Sequence, residues 1–198
     1  MDPMVMKALK TMGEQATHAG RIVKRIREFL TRREPQREPC RIMDVVHSGA
    51  ALLKRDLSRY QVQLDIHGDD ALPEVMADPV LIEQVVVNLI RNASDALSTQ
   101  DGARRIHVTA TQAGAFVRVS VIDNGPGLHG RDGERLFAPF YSTKSEGMGM
   151  GLAICRSIIE LHYGALDASE ALEGGAVFTF SLPVRQDASL DTGDGSLS

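Results

Sequence analysis

The chain contains 198 residues, of which 43% are hydrophobic and 24% charged, and this length suffices for one complete hydrophobic core. The net charge of −4, with one basic cluster in "RIVKRIREFLTRRE", argues against nucleic acid as the main partner. Two distant cysteines without a CxxC motif and six histidines without metal-ligand spacing argue against disulfides and structural zinc. With no signal sequence and no apolar run of about eighteen residues, the sequence predicts a cytoplasmic chain without a membrane span, although a longer parent protein could be anchored.

The first predicted element is a long amphipathic helix from Met4 to about Arg33. Apolar or small residues recur there at a spacing close to 3.5, which is typical of a coiled coil or a bundle helix. A helix packed on its own domain would show a similar pattern, but the length and the charged segment "TRREPQREP" that follows favour a separate dimerising element. The sequence therefore predicts a homodimer formed through this helix and a domain boundary near Pro35.

Beyond this boundary, apolar patterns predict alternating helices and strands. The runs "RIHVTATQ" and "AFVRVSVID" flank Ala113 and Gly114 and predict a β-hairpin. Together the elements predict an α+β fold in which helices cover one face of a largely antiparallel sheet. The polar, acidic segment 186–198 predicts a disordered tail. The predicted helices span roughly 42–58, 79–97 and 150–162, and the other predicted strands are 61–66 and "AVFTFSLP".

The helix predicted at 79–97 carries one polar stripe on an otherwise apolar surface. Asp78 is a predicted N-cap for this helix, and Pro79 suits its first turn. A polar stripe is usually the solvated face, but solvated faces favour Lys, Glu and Arg. Asparagine is a poor helix former whose short amide can bind a metal or a phosphate-bound water, so the stripe predicts a polar cleft. The stripe consists of Gln84, Asn88, Asn92 and Asp95.

A second candidate site is the strand end in "VSVIDNGPGL". Asp123 can accept a hydrogen bond from an exocyclic amine, and Gly125 and Gly127 would let a flat ring approach the backbone. A plain type II turn would also explain the first glycine. With Gly130 the glycines spell GxGxxG, the dinucleotide fingerprint. We reject that interpretation, because "GRDGERLF" does not predict a helix opening at the third glycine and no second βαβ unit appears.

Glycine occupies every second position in part of "STKSEGMGMGLAICRS", between a lysine and a run that predicts a helix. Such glycines indicate either φ above zero or a large group against the backbone. The Walker pattern GxxxxGK[ST] is absent from the sequence. The glycines are Gly147, Gly149 and Gly151, and the lysine is Lys144.

Four segments taken in order, "EQVVVNLIRNASDAL", "VIDNGPGL", "LFAPFYSTK" and "GMGMGLAI", resemble the ATP-binding catalytic domain of sensor histidine kinases. This domain belongs to the superfamily shared with gyrase, heat-shock chaperone and mismatch-repair ATPases. The resemblance covers about residues 36–185, and residues 4–34 resemble the second helix of the preceding dimerisation hairpin, without its first helix. It implies a two-layer α/β sandwich of the Bergerat type with a mixed, largely antiparallel sheet, an N-terminal bundle helix, and ATP and Mg²⁺ as cofactors.

The resemblance implies roles for the residues of the first two motifs. Asp123 would bind the adenine amine, with Gly127 admitting the ring. Asn92 would hold a Mg²⁺ ion that bridges the phosphates, with Asn88 one turn earlier beside it. Hydrolysing relatives carry a glutamate at the position of Asn88. Because an amide cannot take a proton, Asn88 favours phosphoryl transfer over hydrolysis.

The last two motifs are implied to enclose the triphosphate. The alternating glycines would lie under the phosphates, Lys144 would neutralise their charge, and residues 126–146 would form a mobile lid whose Phe137 and Phe140 pack on the core. The implied catalytic residues are Asn88, Asn92 and Lys144, and Asn92 is the implied metal ligand. The implied nucleotide-binding residues are Asn88, Arg91, Asn92, Asp123, Gly125, Gly127, Lys144, Gly147, Gly149, Gly151 and Leu152.

The implied function is transfer of the ATP γ-phosphoryl group to a histidine on a dimerisation helix, for relay to the receiver domain of a response regulator. The acceptor helix is expected on another segment, because His18 is the only histidine on the predicted bundle helix and no acidic residue follows it. The chain then represents part of a larger kinase or a natural truncation. The alternatives are a degenerate nucleotide-sensing or dimer-scaffold module without transfer activity, and a serine-directed kinase of the same superfamily.

Two positions depart from the family pattern. Val177 stands where relatives often carry a threonine near the adenine, which removes one water-bridged contact. Asp95 stands where many relatives have a lysine or arginine facing phosphate. That positive charge would then come from Lys144 or Arg91.

Overall fold

The structure is a computed structural model and describes residues 6, 34–69, 71–98, 100–130, 133–141 and 149–185. Apart from Met6, the predicted bundle helix lies outside the described residues, as do Lys144, Gly147 and the predicted tail. None of the helices in the described ranges is both long and apolar enough to cross a bilayer. In chain order the elements are β1 (Glu38–Cys40), α1 (Ile42–Arg59), β2 (Val62–Gly68), β3 (Val75–Ala77), α2 (Pro79–Leu97), β4 (Arg104–Ala113), β5 (Phe116–Asp123), α3 (Gly133–Leu136), α4 (Gly151–Leu161), β6 (Leu166–Glu170) and β7 (Ala176–Pro183).

Five strands form the main sheet in the order β2-β4-β5-β7-β6. β2 runs parallel to β4, and the other neighbouring pairs are antiparallel. Because side chains alternate between the faces of a strand, one face of β4, β5 and β7 is buried beneath the helices. The fold class predicted from the sequence is therefore confirmed. The buried residues of that face are Ile106, Val108, Ala110, Val117, Val119, Val121, Phe178, Phe180 and Leu182.

The helix α2 packs against the sheet, α1 and α4. It begins where the sequence predicts, because Asp78 Oδ1 accepts the backbone N–H groups of Val80 and Leu81 at 3.1 and 3.3 Å and Pro79 occupies the first turn. Burial on several sides fixes its rotation about its own axis, and hence the direction in which its polar stripe faces. Its buried side chains are those of Ile82, Val85, Val86, Leu89, Ile90, Ala93, Ser94 and Leu97.

The segment that precedes α1 is bound to the start of α2 by strand pairing and a hydrogen bond. β1 pairs with β3, and the backbone N–H of Gln36 donates to Asp78 Oδ2 at 3.0 Å. The buried ring of His162, just after α4, accepts the backbone N–H of Asp78 at Nε2, 2.9 Å away. Its Nδ1 lies 2.7 Å from the carbonyl oxygen of Ile158 and must donate to it. Asp78 and the neutral His162 ring thus join the entering segment, α2 and α4.

Candidate functional site

The candidate site lies where the C-terminal half of α2 meets the loop after β5 and the start of α4. Asn88 and Asn92, in the polar stripe of α2, are half-buried, whereas Arg91 is exposed. In the last turn of α2, the Cβ of Ala96 lies 3.7 Å from the position that a Cβ atom would have on Gly125. The stripe therefore runs along α2 toward the loop that follows Asp123, and the exposed Arg91, seven residues after Gln84, lies at the edge of the same stripe.

Asn88 connects α2 to α4. Its side chain forms a hydrogen bond with Cys155, which lies one turn after Gly151. Cys155 is completely buried, and burial raises the pKa of its thiol to about 12, although the bond to Asn88 acts in the opposite direction. The thiol is therefore protonated at neutral pH and is a neutral partner of the Asn88 amide. The sequence carries no signal for this role, because an isolated cysteine in an apolar helix has the pattern of an ordinary core residue.

Asp123 is the buried acid of the site, with 3% of its surface exposed. Its Oδ1 atom accepts the backbone N–H groups of Gly125 at 2.8 Å and Ala176 at 3.3 Å. The first bond closes an Asx turn, and Gly125 lacks the positive φ that a type II turn would require. Burial raises the pKa of Asp123 above 3.8, the two hydrogen bonds oppose this shift, and the charge of Glu170 adds to it.

The second carboxylate oxygen of Asp123 is an accessible acceptor. Within the described ranges Oδ2 has no hydrogen-bond partner, and no side-chain nitrogen or oxygen there is both fully buried and unpaired. Oδ2 therefore keeps contact with solvent. An accessible oxygen on an otherwise buried and fixed carboxylate is well suited to accept an N–H group from a ligand.

The predicted glycines differ in whether a side chain could fit at their positions. A Cβ atom on Gly151 would meet nothing within 4 Å, so the backbone is open at the start of α4, beside the half-buried Leu152. A Cβ atom on Gly149 would collide with the carbonyl oxygen of Tyr141, and one on Gly127 would collide with the Glu170 carboxylate. Of these glycines, Gly151 is therefore the one whose backbone a ligand could approach from open space.

The described part of the predicted lid contacts α4 through α3 and Phe137. Arg156 Nη1 lies 2.8 Å from Glu134 Oε2 on the short helix α3, and the guanidinium lies 5.3 Å from the centre of the Phe137 ring. Phe137 is 6% exposed and packs on the core, as predicted. The same prediction is wrong for Phe140, which is 73% exposed. Phe140 has a left-handed φ of +66°, and the next residue, Tyr141, packs against the core instead.

These residues fit a nucleotide that carries Mg²⁺. Among the described residues, no group of three or more His, Cys, Asp or Glu side chains could hold a metal ion. Asn92 offers one amide oxygen, a hard ligand of the kind that Mg²⁺ accepts. Such an ion would need its remaining ligands from phosphate oxygens and water, which is how Mg²⁺ commonly binds in nucleotide sites. The open backbone at Gly151 and the start of α4 would receive those phosphates.

Comparison with known proteins agrees with this geometry. Residues 77–186 match the family described as histidine kinase-, DNA gyrase B-, and HSP90-like ATPase. The C4-dicarboxylate transport sensor protein DctS of Rhodobacter capsulatus is 41% identical over 187 residues, which are 93% of this chain and 28% of DctS. The chain spans about a third of the length of the curated relatives it matches.

Two solved structures of the histidine kinase ThkA share the fold. Its nucleotide-free catalytic domain is 29% identical and superposes with a TM-score of 0.68, covering 75% of this chain and 96% of that domain. ThkA in complex with the response regulator protein TrrA is 27% identical, with a TM-score of 0.76, and the match covers 93% of this chain and 53% of the ThkA chain.

Proposed function

Because the chain belongs to the family of histidine kinase-, DNA gyrase B- and HSP90-like ATPases, we propose that it binds ATP with Mg²⁺ and transfers the γ-phosphoryl group to a histidine on a dimerisation helix. The observation that carries this proposal is the carboxylate of Asp123, fixed through Oδ1 and accessible at Oδ2. The exocyclic amine of adenine can donate to Oδ2. Guanine presents a carbonyl oxygen at the equivalent ring position, and two acceptors repel, so the site favours adenine.

The side chains of α2 favour transfer over hydrolysis. Asn88 is held by the protonated thiol of Cys155 and has no basic atom with which to activate a water molecule. When bound, Mg²⁺ would neutralise charge on the phosphates, and Asn92 would contribute one oxygen ligand. Phosphoryl transfer depends mainly on positioning and charge stabilisation. In this proposal Lys144 supplies further positive charge, Gly147, Gly149 and Gly151 lie under the triphosphate, and a separate acceptor provides the nucleophile.

The proposed partners follow from the acceptor chemistry. Residues 4–34 would be the second helix of a dimerisation hairpin, residues 36–185 the ATP-binding domain and residues 186–198 a tail. The acceptor histidine would lie on the first helix of such a hairpin, supplied by another polypeptide segment. The solved complex of ThkA with a response regulator supports a receiver domain as the final phosphoryl acceptor. We place this reaction in the cytoplasm.

The test is incubation of the chain with γ-labelled ATP and Mg²⁺, alone and with a polypeptide that bears an acceptor-histidine helix. We expect nucleotide binding without self-labelling, and an acid-labile, alkali-stable label on the added helix. Acid-stable label would indicate a serine-directed kinase, and binding without any transfer would indicate a nucleotide-sensing module. Acid-labile label on the chain itself that disappears in His18→Ala would place the acceptor on this chain and overturn the proposal of a separate acceptor.

The metal assignment has its own test. In Asn92→Ala, nucleotide affinity should lose its dependence on Mg²⁺, because the proposed protein ligand is removed. Gln84→Ala, two turns earlier in the same stripe, is the matched control and should keep that dependence. Calorimetric titrations with and without Mg²⁺ measure both. If Asn92→Ala kept the full Mg²⁺ dependence, the metal would not be bound at this position of α2.

A further inference from the structure

The turn that follows the nucleobase site is held by a carboxylate that lies 40 residues or more along the chain. The backbone N–H of Leu128 donates to Glu170 Oε2 at 3.0 Å, and the backbone N–H of Gly130 donates to Glu170 Oε1 at 3.3 Å. Both oxygens of one carboxylate therefore bind N–H groups of the same short turn. Charge-assisted hydrogen bonds of this kind are stronger than those between neutral groups.

The backbone of the turn is shaped around this carboxylate. Gly127 has a φ of +80°, and His129 and Gly130 have φ values of +53° and +66°. Alternating left-handed residues bring successive N–H groups together into an anion-binding concavity. A Cβ atom on Gly127 would collide with Glu170 Oε2. Gly127 is thus favoured here by its positive φ, and a side chain at this position would displace the Glu170 carboxylate, whatever ligand the site binds.

Glu170 is also joined to Asp123 through one pair of strands. It is the last residue of β6 and lies opposite Ala176, the first residue of β7. The N–H of Ala176 donates to Asp123 Oδ1. The same strand ends therefore fix the buried carboxylate and the turn beside it. The bonds from the turn lower the pKa of Glu170 below 4.5, the largest effect coming from Leu128, so Glu170 is ionised at neutral pH.

We propose that Glu170 is a positioning residue for nucleotide binding, which holds the turn 127–130 beside Asp123 in the conformation that receives the adenine ring. This inference rests on the proposed function. Because residues 127–130 begin the predicted lid, Glu170 also fixes the point from which the lid leaves the sheet. Glu170 acts at the base end of the nucleotide and does not contact the phosphates, so its removal should weaken ADP and ATP binding by the same factor.

The experiment compares Glu170→Gln and Glu170→Ala with Asp167→Asn. Asp167 is the matched control, since it is an exposed carboxylate on the same strand, without a bond to the turn. In the nucleotide-free chain, amide hydrogen exchange at Leu128 and Gly130 should be at least ~3-fold faster in both Glu170 variants and unchanged in Asp167→Asn. Calorimetry should show roughly tenfold weaker ADP and ATP binding in Glu170→Ala, a smaller loss in Glu170→Gln, which keeps one acceptor oxygen, and none in the control.

The outcomes separate this inference from the proposed function. Unchanged amide exchange at Leu128 and Gly130 in Glu170→Ala would show that Glu170 does not hold the turn 127–130. Faster exchange with unchanged ADP affinity would make Glu170 a structural residue without a role in binding. A loss of affinity for ATP alone would place its effect at the phosphates and contradict the proposed geometry. A wild-type chain that bound neither nucleotide would refute the proposed function. The exchange measurement would still decide whether Glu170 holds the turn 127–130.

Discussion

Replacing Asp123 with asparagine should separate nucleotide binding from folding. The two backbone N–H groups of Gly125 and Ala176 both donate to Oδ1, at 2.8 and 3.3 Å. Asparagine keeps an oxygen with the same geometry, so both bonds can remain. The change falls on Oδ2, where an acceptor becomes an NH₂ donor. An adenine amine would then meet a donor where it met an acceptor.

Asp123→Asn should weaken ATP binding without lowering the free energy of unfolding. For binding, a donor facing a donor in a buried site costs about 1–3 kcal/mol, which corresponds to roughly 5- to 150-fold weaker affinity. For folding, the pKa of Asp123 is raised above 3.8 by burial, so the ionised form is disfavoured in the folded chain. The stability that the protonated form gives is lost as the pH rises through this raised pKa. Neutral asparagine removes this cost, and the free energy of unfolding should stay equal or rise.

The assay is calorimetric titration with ATP, together with urea unfolding of the wild type, Asp123→Asn and Asp123→Ala. Asp123→Ala removes the acceptor of the buried Ala176 N–H and of the half-buried Gly125 N–H, and should lower the free energy of unfolding by about 1–3 kcal/mol, mainly through Ala176. We expect Asp123→Asn to unfold like the wild type but to bind ATP weakly. Unchanged ATP affinity in Asp123→Asn would refute the adenine assignment. A large loss of stability in the same variant would refute the hydrogen-bond geometry.

The remaining predictions concern pH and backbone fit. ATP affinity should fall as the pH drops through the raised pKa of Asp123, at a higher pH than for an ordinary aspartate. Titrations of the wild type and Asp123→Asn at several pH values check this, and profiles of the same shape in both would show that Oδ2 is not the acceptor. Burial lowers the pKa of His162 below 6.5, so the unfolded chain binds a proton at this histidine more readily than the folded chain does. The free energy of unfolding of the wild type should therefore fall as the pH drops below 6.5. Unfolding curves of His162→Gln should lack this contribution. Gly175→Ala should cost about 1–3 kcal/mol more than Gly174→Ala in chemical unfolding, because both residues have positive φ but only the first would push a Cβ atom into the Asp123 carbonyl oxygen. Equal costs would contradict that contact.

The sequence predicts the elements whose signals are local. The bounds 79–97 of α2 and 176–183 of β7 agree with the structure. For α2 the reason is the cap at Asp78 followed by proline, and for β7 it is the alternation of apolar and polar residues in "FTFSL", residues 178–182. The three-residue strands β1 and β3 were not predicted, because each exists only through its pairing with the other, more than 30 residues away along the chain. The strand β6, "LDASE", has weak strand propensity and forms by pairing with the adjacent strand β7.

In the candidate site, too, local sequence patterns identify some residues, whereas others are brought in by contacts between distant parts of the chain. Asp123 could be identified from the sequence because it closes an alternating strand before a glycine-containing loop. The groups that fix its surroundings could not, since the Ala176 N–H and the Glu170 carboxylate lie 53 and 42 residues from their partners Asp123 and Leu128. Cys155 has the pattern of an ordinary core residue until the fold places it against Asn88. The assignments of nucleotide and metal ligands remain predictions.

The glycines of the site motifs are favoured for reasons that differ from those that the sequence pattern suggests. From the sequence, alternating glycines indicate a ligand lying against the backbone. In the structure, two of the described glycines exclude a side chain for reasons internal to the protein: Gly127 faces Glu170, and Gly149 faces the backbone of Tyr141. Gly151 faces open space, so protein packing does not exclude a side chain there. Substitutions at the first two therefore act on the conformation of the turn and the lid, whereas under the proposed function substitution at Gly151 would act on the phosphates.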